Sequence, residues 1–198
     1  GATIESTLDL VRDFSPLPAG RNAQDPYFVA ATSLRKMKGT KASLAAFDVA
    51  VPRVLEAIRA AEAAQAETTA DPNVRWNAVK HHKIPLVRAI GKLPMKDRHV
   101  KFEHLLSQTR DTDFLLHEFA SLLPTLRSSE QGRMALLLCA KAESRSPYDI
   151  EVMLRHIPLR RMAQHCRKAV FDKIAQLARD HLSNAGRFAV FQYADRDF

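Results

Sequence analysis

The chain contains few of the residues that define several classes of protein. Its 198 residues include 6 glycines, 2 cysteines and 1 tryptophan. Two cysteines are too few for a disulfide-stabilised scaffold, and no apolar run approaches the roughly 18 residues that a membrane-spanning helix needs. The N-terminus also lacks the basic-then-apolar order of a secretory signal peptide. The sequence therefore predicts a soluble protein of a reducing, cytoplasmic compartment with no transmembrane segment.

The common catalytic and cofactor motifs are missing as well. The sequence has no GxxxxGK[ST], GxGxxG, GxSxG or CxxC pattern. The segment "HEFAS" at 117–121 begins like the zinc-binding HExxH motif, but Ser121 stands where the second histidine ligand is needed. His81 and His82 are adjacent, so on a helix they point in different directions and do not chelate one ion together. We therefore expect no metal site, no cofactor and no catalytic residue.

The two cysteines, Cys139 and Cys166, both lie within apolar helical patterns. The positive neighbours His165 and Arg167 would favour the thiolate of Cys166 and make it a nucleophile. However, Cys166 shares a helix face with Val170, and burial as a small hydrophobic residue is the commoner outcome for such a position. We interpret both cysteines as buried thiols.

Helical periodicity dominates the rest of the sequence. Apolar residues recur every three or four positions in nearly every segment after residue 26, and 46% of the chain is hydrophobic. This pattern predicts an all-α fold, either stacked helical hairpins in a short α-solenoid or an irregular helical bundle. We expect Leu137, Leu138, Met162 and Val170 to be core residues of these helices. The exception is the tail, where Phe188 alternates loosely with its neighbours and predicts a weak strand or a docked coil.

Three Leu/Ile-Pro pairs recur along the chain. Leu93-Pro94, Leu123-Pro124 and Ile157-Pro158 lie 30 and 34 residues apart. Because proline ends the helix before it and can begin the next one, each pair predicts a corner between helices. Recurrence at this period is typical of stacked hairpins, with the prolines at equivalent corners. The alternative is a non-repetitive bundle in which the prolines recur by chance.

These patterns divide the chain into three parts. Residues 1–24 are expected to form an N-terminal helix and linker, residues 25–183 a helical-hairpin repeat domain, and residues 184–198 a C-terminal tail.

The segment "KLPMKDRHVKFEHLL" joins a Leu-Pro pair to a basic stretch and an aromatic-Leu-Leu run. In this respect residues 80–180 resemble the helical Leu-Pro segments of bacterial type III secretion effectors, which are virulence proteins. The Ala- and Arg-rich composition is compatible with a GC-rich bacterial genome. The resemblance implies a chain that acts in a host cytoplasm through protein contacts, and it transfers no catalytic residue.

Positive charge is the remaining functional signal, since the net charge is +8 and the excess lies in the middle and late chain. A helix beginning near Pro158 would bury an apolar stripe and leave a basic arc. Two sets of candidate partner-binding residues follow. The first is Arg160, Arg161, Arg167 and Lys168, and the second is Lys83, Arg88, Lys92, Lys96 and Arg98.

Such basic faces bind an acidic protein surface, bind phosphate groups, or are simply solvated. We expect a non-enzymatic protein-interaction module whose partner is a protein with an acidic surface. The first alternative is a nucleic-acid or acidic-lipid binder that uses the basic helix faces. A second is an enzyme domain without recognisable motifs, such as a bacterial ubiquitin ligase.

Overall fold

The computed structural model describes residues 86–108 and 116–195, together with Ile84 and single positions between 44 and 63. Helices and the turns between them account for these residues, and none of them lies in a strand. The predicted all-α fold is confirmed. The predicted N-terminal helix and linker, residues 1–24, lie outside this part of the chain.

The chain divides into two compact units, Gly1–Asp97 and Arg98–Phe198. In the first unit, Phe47, Val51 and Leu55 are buried at four-residue spacing, while Asp48 and Glu56 beside them are exposed. This spacing places the three apolar side chains on one helix face. Every described position between 44 and 63 is helical, as the apolar periodicity after residue 26 predicts.

The first unit also contains a short helical stretch at residues 86–90, which ends in a turn at 91–93. Leu86, Ile90 and Leu93 are buried. The turn is closed by backbone bonds in which the N–H groups of Gly91 and Lys92 donate to carbonyls three residues earlier. The chain then passes through Pro94 into the next helix.

The helices of the remaining described chain are short, and two pieces of 3-10 helix interrupt them. In chain order they are α1 Met95–Gln108, α2 Leu116–Ala120, η1 Leu123–Thr125, α3 Ser128–Ala142, α4 Pro147–Arg155, η2 Leu159–Arg161, α5 Gln164–His181 and α6 Asn184–Asp195.

Two helical hairpins form the centre of the second unit. Helices α2 and α3 are joined by η1 and contact each other, and α4 and α5 are joined by η2 and contact each other. Helix α2 packs on α4 and α3 packs on α5, so the first helices of the two hairpins lie together and the second helices lie together. Helix α6 packs on both α4 and α5. The apolar faces are thereby buried between helices.

The buried residues of α2 and α4 match at a spacing of 34 residues. The matched pairs are Leu116 with Ile150, Phe119 with Met153, Ala120 with Leu154 and Leu123 with Ile157, all of them buried. In addition, the ring of Phe119 meets that of Phe102 on α1 edge to face, with centroids 5.1 Å apart.

After the proline the spacing becomes 36 residues. The matched buried pairs are Leu126 with Met162, Met134 with Val170, Leu138 with Ile174 and Ala142 with Ala178. Leu126 and Met162 both have extended backbone, with ψ of 164° and 151°, and each lies two residues before the helix that follows. Two residues are therefore inserted in the second connection.

The three prolines of the Leu/Ile-Pro pairs all lie between successive α-helices, as predicted. The positions of the last two prolines differ, since Pro124 is inside η1 whereas Pro158 precedes η2. The two residues inserted in the second connection account for this difference. The helical-repeat interpretation of residues 25–183 as a whole stays a prediction.

The C-terminal residues differ from the expected strand or coil, because Asn184–Asp195 form helix α6. The hydroxyl of Ser183 accepts a bond from the N–H of Gly186 at 3.3 Å, as an N-terminal cap does. Gly186 and Val190 are buried four residues apart, whereas Phe188 is exposed. The burial follows a helical period, so the alternation around Phe188 was misleading.

The predicted single helix beginning near Pro158 is also wrong. The chain forms η2, passes through two extended residues and begins α5 at Gln164. The apolar stripe is otherwise confirmed, since its members other than Cys166 are buried. These are Leu159, Met162, Val170, Ile174 and Leu177.

Not every expected core residue is buried to the same degree. Leu138 is fully buried, whereas Leu137 is only half-buried. On α3 the buried positions are 131, 132, 134, 135, 138, 139 and 142. Leu137 lies at the edge of this face, so its expected place in the core is corrected to the boundary.

Helices α3 and α5 approach each other closely at Gly132. A Cβ atom on Gly132 would lie 2.5 Å from Cβ and 2.7 Å from Sγ of Cys166. Non-bonded carbon atoms do not come this close, so any side chain at residue 132 forces the two helices apart. Cys166 is half-buried in this contact, which corrects its expected full burial.

We expect Gly132→Ala to lower the free energy of unfolding by about 1–3 kcal/mol, because it overpacks the contact between α3 and α5. Urea denaturation followed by circular dichroism measures the change. The matched control is Gly186→Ala, whose Cβ would lie 3.0 Å from the carboxylate of Glu151 and 3.4 Å from Cβ of Leu182, both longer than the approach at Gly132. There the gain in helix propensity of roughly 0.5–1 kcal/mol should offset any adjustment. Equal stability of the Gly132→Ala variant and the native chain would contradict the close approach.

A second pair of variants tests the boundary of the α3 face. Leu138→Ala should cost about 2–5 kcal/mol, because it leaves a cavity at a fully buried position. Leu137→Ala removes the same atoms from a half-buried position and should cost clearly less. The same denaturation measurement compares the two, and the reverse order would show that α3 is rotated from the orientation described.

Candidate interaction surface

The η2 connection is held by Arg167, which lies in the first turn of α5. Its guanidinium folds back onto the chain, with Nε and Nη2 donating to the carbonyl of Met162 at 3.3 and 3.1 Å. Nη2 also donates to the carbonyl of Arg160 at 3.0 Å. Arg167 was a candidate partner-binding residue, but these bonds commit much of its donor capacity to the fold.

The η1 connection has the same arrangement with a different residue. Gln131 is buried, and its Nε2 donates to the carbonyl of Leu126 at 3.1 Å. Gln131 lies five residues after Leu126, as Arg167 lies five residues after Met162. In each hairpin, a side chain in the first turn of the second helix therefore donates a hydrogen bond to the carbonyl of the extended residue that precedes that helix.

Arg98 contributes a further bond to the η1 connection. Its Nη1 donates to the carbonyl of Thr125 at 2.7 Å, and partial burial lowers the pKa of the guanidinium. Arg98 was predicted to bind a partner as part of the second basic set. The structure instead places it half-buried against a connection between helices.

Arg187 has a similar role at the end of α5, which sequence reasoning missed. Its Nε donates to the carbonyls of Ala178 and Leu182 at 3.1 and 3.0 Å, and its Nη2 donates to that of Arg179 at 2.6 Å. Carbonyls at a helix C-terminus lack partners within the helix, and a basic side chain satisfies them. The sequence signal is weak, because an arginine at a surface position is equally typical of a solvated face.

Four basic side chains remain exposed where η2 meets α5, and we call them the basic end of α5. They are Arg160, Arg161, His165 and Lys168. Residues 152–171 include no acidic residue, and the first turn of α5 has none either. Ala163 at the N-cap gives no side-chain bond to the helix N–H groups, so the positive end of the helix dipole adds to the same field.

The nearest acidic residue in sequence is Asp172, which pairs with Lys168 at 3.3 Å. Both side chains are largely exposed, at 88% and 60%. Such pairs form and break readily, because exposed ion pairs contribute only about 0–1 kcal/mol. Lys168 is thus available to exchange Asp172 for an acidic group of a partner.

The second predicted set is not brought together on one element. Lys83 lies outside the described residues. Arg88, Lys92 and Lys96 are exposed, but the turn at 91–93 separates Arg88 from Lys96. Of the nine predicted partner-binding residues, Arg160, Arg161 and Lys168 are the three that are exposed in η2 and the adjoining turns of α5.

The described residues include no group of three or more histidine, cysteine, aspartate or glutamate residues that could hold a metal ion. Burial raises the pKa of the Cys139 thiol to about 12, which keeps it protonated and unreactive at neutral pH. The thiol of Cys166 donates to the carbonyl of Ala163 at 3.0 Å.

Comparison with protein-family models, curated proteins and solved structures gives no match to this chain. Among the described helices, none is long and apolar enough to cross a membrane. The function has to be inferred from the residues themselves.

Variants of Arg167 and of its neighbour Lys168 distinguish a side chain that stabilises the fold from one that is only exposed at the surface. We expect Arg167→Ala to destabilise the protein by about 1–3 kcal/mol, because it leaves the carbonyls of a connection without donors. Arg167→Gln should recover part of this loss, since glutamine serves the equivalent carbonyl in the other hairpin. Lys168→Ala should change stability by no more than about 1 kcal/mol. Thermal denaturation of the three variants checks the order, and equal effects of Arg167→Ala and Lys168→Ala would refute the structural role.

Proposed function

We propose that this chain is a non-enzymatic protein-interaction module that binds an acidic protein surface through the basic end of α5. The observation that carries the proposal is the group of exposed basic side chains at Arg160, Arg161, His165 and Lys168, within twenty residues that contain no aspartate or glutamate. Like charges in one place attract an oppositely charged surface and raise the rate of association.

The surroundings of these residues support a binding role. Leu159 and Met162 are buried on either side of Arg160 and Arg161, so the two arginines extend from a packed connection rather than from a loose loop. Arg167 fixes that connection to α5 through its bonds to two carbonyls. A preorganised surface loses less conformational entropy when a partner binds.

A protein partner is favoured over a single-stranded nucleic acid by the absence of stacking platforms. Modules that bind single strands use exposed aromatic side chains between their basic residues. The large exposed apolar side chains among the described residues are Met95, Val100, Tyr148 and Phe188. None of these four side chains lies within residues 149–187, a range that includes the basic end of α5 and that the structure describes completely.

The resemblance of residues 80–180 to Leu-Pro segments of type III secretion effectors extends the proposal. We place the module in a bacterial effector that acts in the host cytoplasm, with the two hairpins as part of a stacked-helix scaffold. The matched buried residues of the two hairpins support the scaffold.

The proposal predicts that charge reversal at the basic end abolishes binding of an acidic probe. A fluorescent glutamate-rich peptide should bind the native chain near physiological salt, and Arg160→Glu with Arg161→Glu should weaken binding by about tenfold or more, because like charges then face each other. Fluorescence anisotropy measures the affinity, and circular dichroism checks that the variant folds.

The matched control is Arg127→Glu with Arg179→Glu, which makes the same change of net charge at exposed positions elsewhere in the second unit. It should leave peptide binding nearly unchanged. Equal loss in both double variants would show that only net charge matters and would overturn the proposed surface. Tighter binding of RNA or DNA of equal charge, with a log-log salt slope of about −0.7 to −0.9 per phosphate, would establish the nucleic-acid alternative instead.

A further inference from the structure

Helices α2 and α4 bring two histidines together that are far apart in sequence. His117 lies in the short helix α2, and His156 is the C-cap residue of α4. Their ring centroids are 5.5 Å apart, and the ring planes are inclined at 42°. The two rings come from different hairpins, so the pair exists only when the hairpins are packed.

The hydrogen bonding of His156 defines which of its nitrogens carries the proton. Its Nδ1 lies 2.8 Å from the carbonyl oxygen of Val152. Because a carbonyl only accepts, Nδ1 must be the donor, and in the neutral ring the lone pair is then on Nε2. Histidines that bind metal ions commonly donate their other N–H to a carbonyl in this manner, which fixes the ring and raises its basicity.

The separation of the rings is also suitable for sharing one ion. With metal–nitrogen bonds of about 2.0–2.1 Å at a tetrahedral angle, two imidazoles on one zinc ion have centroids roughly 5 Å apart. The observed 5.5 Å requires only a small rotation of the side chains. By contrast, two protonated imidazoles at this distance would repel each other.

The nearby charges favour a cation. Oε1 of Glu118 lies 3.8 Å from Nε2 of His117, and the Glu118 side chain is only 8% exposed. Arg155, next to His156, is engaged with the carboxylate of Glu151. His156 itself is exposed, so an ion has access from solvent.

We propose that His117 and His156 form a two-histidine binding site for a divalent transition metal of the zinc class. The chain supplies two imidazole ligands and water completes the coordination, since the described residues offer no cluster of three. Imidazole is a favoured ligand of Zn²⁺, Cu²⁺ and Ni²⁺. A bound ion links α2 to α4 and so fastens one hairpin to the other. The site is independent of the basic end of α5.

The test uses the full chain, freed of metal by a chelator, at neutral pH in a buffer that does not bind zinc. Added Zn²⁺ should raise the midpoint of thermal denaturation, because the ion binds the folded state. Losing even an outer-shell partner of a metal ligand weakens binding by about 10–100-fold, so His117→Ala and His156→Ala should each weaken it at least as much. His104→Ala, at an exposed position of α1, is the matched control and should keep the full response.

A second measurement does not depend on the variants folding. Long-range ¹H–¹⁵N spectra of the native chain should show His156 protonated at Nδ1, and Zn²⁺ should shift its Nε2 resonance together with a nitrogen of His117. The proposal is overturned if these resonances do not respond to saturating Zn²⁺, or if His156→Ala and His104→Ala respond to zinc alike.

Discussion

The contact between α3 and α5 at Gly132 governs the arrangement of the second unit. Without a side chain at residue 132, Cys166 enters the space that a Cβ would occupy, and the helices come close enough for Met134 and Val170 to be buried. The contact also sets the position of α5 relative to the η2 connection, because Cys166 is adjacent to Arg167. The exposed cations at this end of α5 therefore depend on a glycine in another helix. The packing of the helices therefore determines where these charged side chains lie on the surface.

Much of the fold could be predicted because burial follows helical spacing. Phe47, Val51 and Leu55 show this in the first unit, and Val170 and Ile174 show it in α5. The pattern failed where backbone geometry changed. The break at Met162 and Ala163 cannot be predicted from the spacing of hydrophobic residues, because Leu159 and Met162 would be buried whether the helix were continuous or interrupted there. Helix α6 was missed because the loose alternation around Phe188 predicts a strand or a coil, whereas Gly186 and Val190 are buried at helical spacing.

The candidate sites could be predicted less well from the sequence, because arginine has two different roles in this chain. Arg160 and Arg161 are exposed, while Arg98 and Arg167 donate to backbone carbonyls, and nothing in the local sequence separates the two groups. The equivalence of Gln131 and Arg167 becomes visible only when Leu126 is aligned with Met162. The pairing of His117 with His156 requires the packing of α2 on α4, and no spacing within one helix encodes it.

The connections between helices are held by hydrogen bonds whose acceptors do not titrate. Arg98, Arg167 and Arg187 all donate to backbone carbonyls, and the arginine side chain keeps its charge throughout the accessible pH range. A corner closed by a carboxylate loses its partner when acid protonates that group. Protonation removes no acceptor from these connections, so they keep their hydrogen bonds in acid. Among the ion pairs, Lys173 holds the pKa of the Glu143 carboxyl below its ordinary value, so this pair too is lost only when the pH falls below the range in which an unpaired glutamate is protonated.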